Sequence, residues 1–284
     1  MAAVKRLAQA CRAIHLACGV AVCVALGGSA SPARAQADYR NLDPGRPIAV
    51  EDAQPIEYRA LESQWGVPRF SRQGRGQWLA ALELEFKWGI YKNLQVGTSG
   101  EYAAAHAAGK TLLAVSDRQF HLLYNFNQET GRMPAIAVRP ELTVRSGGLG
   151  SGHEHGALKW IVTKTVGLNR LHLNGSYTAG PTAAAGKGGE LVNRFFYGGA
   201  YERTLPLKFV VLLADVYARK PIDGSRTEAV LEFGTRVQLN PTWVLDAGIS
   251  TGRLRAAVGP DFGFTFGLSH SQSFRWLHPT REKK

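Results

Sequence analysis

The sequence predicts an all-β protein, a transmembrane antiparallel up-and-down β-barrel of about twelve strands, and three observations predict it. Residues 77–88 read QWLAALELEFKW, with Trp78, Ala80, Leu82, Leu84, Phe86 and Trp88 on one face and Gln77, Glu83, Glu85 and Lys87 on the other. A period of two is a strand, and an apolar face bounded by aromatics suits lipid with headgroups at both ends. Reversing that strand would push charge into hydrocarbon, at up to about 2–4 kcal/mol per basic residue near the midplane, so the other face must meet water. Second, short connections alternate with mostly longer ones. Third, the amino terminus reads as an export signal, while the longest later apolar run, residues 209–214, stops at Asp215 and is too short for a spanning helix. Membrane residence then requires a closed barrel, because an open sheet leaves backbone groups unsatisfied in lipid.

In chain order, Lys5, Arg6 and Arg12 precede or enter an apolar stretch over residues 13–26, followed by small residues ending Ala33-Arg34-Ala35. This predicts a secretory signal over 1–35, cut after Ala35, and therefore export to the outer membrane of a Gram-negative cell. A membrane anchor fits less well, since the run is short and ends in Gly27, Gly28 and Ser29. Cys11, Cys18 and Cys23 all lie in the signal, which leaves a mature chain without disulfides or a thiol nucleophile. Cleavage removes Lys5, Arg6, Arg12 and Arg34 and no acid, so the formal charge falls from +12 to +8. Basic residues such as Arg69, Arg72 and Arg75 sit in predicted loops, where anionic headgroups are the expected neighbours rather than nucleic acid.

Residues 36–55 hold prolines and no alternation, so they are expected as an extended segment in the periplasm or the lumen. The barrel is expected over 56–274, with a polar tail over 275–284. Its first strand, near 56–66, is the least regular. Outward positions then follow as Leu94, Val96, Thr98 and Tyr102; Phe120, Leu122, Tyr124 and Phe126; and Ile136, Val138, Leu142 and Val144. Leu158, Trp160 and Val162 mark the next strand, Leu171, Leu173 and Tyr177 the seventh, and Phe195, Tyr197 and Tyr201 the eighth. The ninth, 208–219, is ambiguous in facing. Leu231, Phe233 and Val237, then Trp243, Leu245 and Ile249, then Phe262, Phe264, Phe266 and Leu268 complete the set. Short connections at 89–93, 166–169, 205–207 and 240–242 read as periplasmic turns. Longer ones at 67–76, 104–115, 146–156, 180–192 and 252–260 read as external loops, and an even strand count leaves both termini in the periplasm. A soluble β-sandwich explains the alternation but not the terminal aromatics, signal and loop rhythm together.

The stretch RPIAVEDAQP at 46–55, the segment LKWIVTKTVGLNRLHLNGSYTAG at 158–180 and LLADVYAR at 212–219 together resemble the outer-membrane channel family associated with the meta-cleavage pathway of phenol degradation. The resemblance spans most of the mature chain. It implies a barrel that passes small hydrophobic or aromatic molecules. One departure is the carboxyl end, where Phe274 is followed by RWLHPTREKK instead of closing the chain on an aromatic.

Parity turns Glu83, Glu85, Lys87, Glu101, His121, Arg139, Glu141, Arg145, Lys159, His172, Glu202, Glu228, Glu232, Arg236 and Asp246 inward. Acids and bases nearly balance, which predicts paired charges bracing the wall rather than a track of one sign. Twelve tilted strands at about 4.8 Å spacing give a barrel about 24 Å across, narrowed by side chains to about 10 Å or less. On the last strand the inward set is small throughout (Gly263, Thr265, Gly267, Ser269), and the permeation path is expected along that wall.

Three enzyme-like signals are weighed against this reading. His153-Glu154-His155 offers ligand types without a further placed partner, so no metal is expected. GPTAAAGKGGE at 180–190 approaches a phosphate loop, but its spacing is one too long and Gly188 stands where a hydroxyl residue is needed. A lipid hydrolase would gather Ser, His and an acid or amide at the outer rim facing lipid, and the outward positions supply no such group. The expectation is a passive channel for small hydrophobic or aromatic compounds, without catalysis or cofactor. Its partners would be membrane lipid and lipopolysaccharide, the barrel-insertion machinery and a small-molecule solute. The alternatives are a lipid- or lipopolysaccharide-modifying enzyme and a structural barrel with a sealed lumen.

Overall fold

The computed structural model describes residues 40–72, 76–146, 153–181, 192–207, 209–252, 254 and 259–273. The predicted signal, the Lys187 region of the glycine-rich loop and the tail from Phe274 onward lie outside them. The described residues form thirteen strands and no helix. They are β1 Ala60–Arg72, β2 Trp78–Tyr91, β3 Leu94–Ala107, β4 Lys110–Val115, β5 Arg118–Asn127, β6 Ala135–Val144 and β7 His155–Val166, then β8 Asn169–Ala179, β9 Arg194–Thr204, β10 Val210–Pro221, β11 Glu228–Asn240, β12 Trp243–Thr251 and β13 Phe262–Ser273.

Each strand pairs antiparallel with its neighbour, and β1 joins β13 through Leu61 opposite Gln272 and Phe70 opposite Phe264, which closes the sheet. Closure removes both edges, the condition for crossing lipid. The thirteenth strand does not enlarge the barrel. The lower half of β3 pairs with β5 and its outer half with β4, so β4 prolongs β5 past an irregularity at Ser116 and Asp117. Ala108 and Gly109 take φ of 51° and 73° between β3 and β4, the positive pair that matches the twist of a two-residue hairpin. The region expected as a loop at 104–115 is therefore a paired arm. Its four outermost β4 residues are exposed, so it stands above the wall and leaves twelve strands around the barrel.

The exterior is apolar. Leu82, Leu122, Leu142, Trp160, Leu173, Val216, Phe233, Ile249 and Phe264 are all exposed, the reverse of a water-soluble surface. Rings pack where the sequence put aromatics at strand ends: Phe70 stacks on Trp78 and Phe264, Trp78 on His106, and at the opposite rim Trp243 on His270. The first strand starts four residues later than expected and continues to Arg72, because residues 56–59 still belong to the segment inside the barrel.

Candidate functional site

Residues 40–59 run into the lumen from the end bearing the short turns, reach mid-height, and fold back. Asp43, Pro44, Gly45 and Arg46 make the bend: the Gly45 N–H donates to the Ile48 carbonyl at 2.7 Å and the Arg46 N–H to the Asp43 carbonyl at 3.1 Å. Gly45 has φ of 78°, a conformation open to glycine. The Asp52 N–H donates to the Leu42 carbonyl at 3.2 Å and holds the two limbs together. Among the described residues no strand pairs with this loop in a ladder, so its buried backbone groups need side-chain partners from the wall.

Those partners are specific. Asp215 Oδ2 accepts the N–H of both Ala49 and Val50 at 3.0 Å, and Glu232 Oε2 accepts Ala49 at 2.6 Å. Asn174 exchanges two bonds of 2.9 Å with the Glu51 backbone, as a strand neighbour would. Thr163 and Asn125 serve Ala53, Gln95 serves Ile56, and the Arg59 N–H donates to the Gly89 carbonyl at 2.7 Å. An Arg236 guanidinium nitrogen donates to the Asn41 carbonyl, and Arg170 Nη1 to that of Arg40 at 2.5 Å.

Apolar packing completes the seal. Leu42, Ile48 and Val50 are fully buried against Ala200, Val211, Leu213 and Phe196, and Ala53 against Leu123, Ala135, Ala137 and Ile161. Burying one such large aliphatic side chain is worth about 1.5–3 kcal/mol. Pro47 lies on a bare patch of wall. A Cβ at Gly234 would fall 2.3 Å from its Cγ, and one at Gly248 would meet its carbonyl oxygen.

Charges on the loop are matched individually. Glu51 takes Arg139 Nη1 at 2.5 Å and Lys159 Nζ at 2.8 Å; Asp52 takes Arg170 Nη2 at 2.9 Å; Asp43 takes Lys87 Nζ at 2.5 Å and the Gln64 amide at 2.6 Å. Burial alone would raise the Asp43 carboxyl, but Lys87, Arg236 and Arg46 outweigh it and hold the group below the usual carboxylate range. At Asp52 burial wins against Arg170 and His172, and the carboxyl is pushed up to about 6.

Above the loop the described residues leave hollows in the lumen. Pro44, Gly45, Pro47 and Ala49 floor connected hollows, one of about 270 Å³ beside Glu83, Arg139, Glu141 and Lys159 and one of about 500 Å³ beside Glu101, Arg194, Tyr217, Arg219, Glu228 and Glu232. Thr265 of β13 also lines the larger one.

The residues that parity turned inward fall into three groups. Glu85, Lys87, His121, Arg139, Lys159, His172, Glu202, Arg236 and Asp246 are buried at or below the level of the loop. There His172 Nδ1 meets the Thr163 hydroxyl at 3.0 Å, and Nε2 lies 3.5 Å from Glu202. His121 Nε2 lies 3.7 Å from Glu85. Glu83, Glu101, Glu141, Glu228 and Glu232 line the hollows. Arg145 is one residue past β6 and exposed, apart from the rest. The small residues of β13 make room for structure: Ser269 Oγ accepts Arg46 Nη1 at 3.0 Å, and a Cβ at Gly267 would strike the Asp246 carboxylate. Gly263 is buried against Ser250.

Sequence reasoning missed Asp215, Tyr217 and Arg219, because VVLLA in β10 is apolar on both faces. Arg170 and Asn174 share the parity of His172 and could have been found from it, and Arg194 is the first residue of β9. At the outer rim His106 Nδ1 lies 2.8 Å from Thr111 Oγ1, a hydroxyl–imidazole pair across the β3–β4 arm. Among the described residues no acid or amide is hydrogen-bonded to that ring. His155 Nδ1 is 3.3 Å from the His153 carbonyl, and the described residues contain no group of three that could hold a metal ion.

No protein-family model and no curated protein matches the sequence. Solved structures do match. An outer membrane channel from Pseudomonas putida F1 superposes with a TM-score of 0.58 at 12% identity, over 82% of this chain and 100% of that one. The translocator domain of the autotransporter NalP from Neisseria meningitidis follows at 0.45 and 13% identity, over 78% and 90% of the two chains. Outer membrane phospholipase A from Escherichia coli gives 0.40 and 11% identity, over 78% and 94%. At these identities the first likeness establishes a shared outer-membrane β-barrel fold.

Proposed function

We propose that this chain is an outer-membrane channel for small hydrophobic or aromatic solutes, closed at mid-height by residues 40–59 and opened when that loop is displaced. One observation carries the reading: a solute-sized outer vestibule ends on a chain segment, not on the wall itself. Wall side chains stay tethered inside the lumen, whereas a docked loop can leave it with every strand pairing intact. The family resemblance of residues 46–55, 158–180 and 212–219 supplies the solute class, and the fold shared with the Pseudomonas channel is consistent with it.

A sealed structural barrel is the second reading, favoured by how completely the loop is bonded. Planar-bilayer recording separates the two. The channel reading expects rare, brief openings from the full chain and steady conductance after deletion of residues 40–55. Steady silence from both proteins, each shown to be folded by heat-modifiable migration, would overturn it in favour of the sealed barrel.

A further inference from the structure

We infer that the outer vestibule contains a binding site for small aromatic carboxylates, organised by Arg194. This deepens the channel reading and rests on it for what the site serves. Within the barrel, Arg46, Lys87, Arg139, Lys159, Arg170, Arg219 and Arg236 are all hydrogen-bonded to or ion-paired with a protein oxygen. Arg194 is different: among the described residues its guanidinium has no hydrogen-bond or ion-pair partner, and it lines both hollows above the loop.

Its surroundings sharpen the ligand. Arg219 bears on it electrostatically, and Glu228, the carboxylate that both guanidiniums face, is already bonded to Arg219 at 3.0 Å. Glu101 and Glu232 line the same hollow, so a bound carboxylate would be held by the Arg194 fork itself, and a fork of N–H donors suits a planar carboxylate. Beside them Phe196 and Tyr217 pack with ring centroids 5.5 Å apart, and Arg219 sits 4.7 Å over the Tyr217 ring. Phe196 lines the smaller hollow and Tyr217 the larger, so an aromatic edge flanks the guanidinium in each. The larger hollow, about 500 Å³, is large enough for a single-ring acid.

The test is calorimetric titration of the detergent-solubilised full chain with benzoate, with benzamide as the neutral isostere and acetate as the ringless anion. Benzoate is expected to bind about tenfold or more tightly than either, and R194Q to lose that margin, the scale of one charge-assisted hydrogen bond. Heat-modifiable migration confirms that R194Q is folded. Equal binding of benzoate and benzamide, or undiminished benzoate binding by R194Q, overturns the inference. Benzoate binding does not require an open pore. A silent bilayer with benzoate bound would overturn the channel and leave the site, and conductance without benzoate preference would do the opposite.

Discussion

Glu51 and Arg139 join the loop to the wall by a contact of 2.5 Å between Oε2 and Nη1, with both side chains buried. Lys159 holds the other carboxylate oxygen, so one loop residue bridges two cations projecting from adjacent strands, and Glu141 of the wall pairs with the same two. Removing one member of a buried ion pair costs about 3–5 kcal/mol, because its partner keeps its charge without its counter-ion. Glu141, 2.9 Å from Arg139 Nε, stays behind as a counter-ion, so E51Q is expected to weaken docking by less than that, visible as a longer-lived open state in bilayer recordings. The double variant E51Q/R139Q should recover part of the closure.

Pro47 depends on the bare wall at Gly234, where a β-carbon would overlap its ring. G234V should displace the loop while leaving the β10–β11–β12 ladder paired, since the overlap falls on the loop. Introducing a cysteine at Ala49 reads this out: a maleimide should label A49C slowly in the native background and rapidly in the G234V background.

Leu173 stands exposed in the middle of β8, on the face turned to lipid. L173R should destabilise the folded barrel by about 2–4 kcal/mol in bilayers, measured by urea titration of the heat-modifiable band. Substitution of Arg145, exposed past the end of β6, should leave that midpoint unmoved.

Glu129 lies in the connection between β5 and β6, outside the spanning strands. Burial would raise its carboxyl, but the Thr165 N–H at 2.6 Å, the Thr165 hydroxyl at 2.8 Å and Lys164 at 3.1 Å outweigh that and hold it below the usual value. A depressed folded-state value means that the ionised form favours the folded turn. This stabilisation is complete above the unfolded carboxylate value of 4.5 and is lost as pH falls through the lower folded one. The hydrogen-exchange protection factor of the Thr165 amide, corrected for intrinsic rate, should fall over that acid window in the native protein, and E129Q should have the low value throughout.

What the sequence could reveal followed from periodicity. Alternation along 77–88 put Trp78 and Trp88 at the two rims and Glu85 and Lys87 inside because one face must be dry and the other wet, a constraint each residue obeys separately. It failed where that constraint relaxes. In β10, Val210 to Ala214 are apolar on both faces, since Val211 and Leu213 pack on the loop while Leu212 meets lipid, and the inward Asp215 was lost with them. The β4 arm rises above the wall, so its residues carry no lipid signature. The loop was least legible of all: its conformation is set by Asn174, Asp215 and Thr163, partners more than one hundred residues away, and no local rule encodes such distances.

Arg59 remains fastened to Gly89 at the point where the lumen segment passes into β1. A displaced loop is therefore leashed to its own doorway, at an effective concentration of order millimolar for so short a tether. In the channel reading proposed above, reclosure would then be a first-order event, indifferent to how many copies share the membrane.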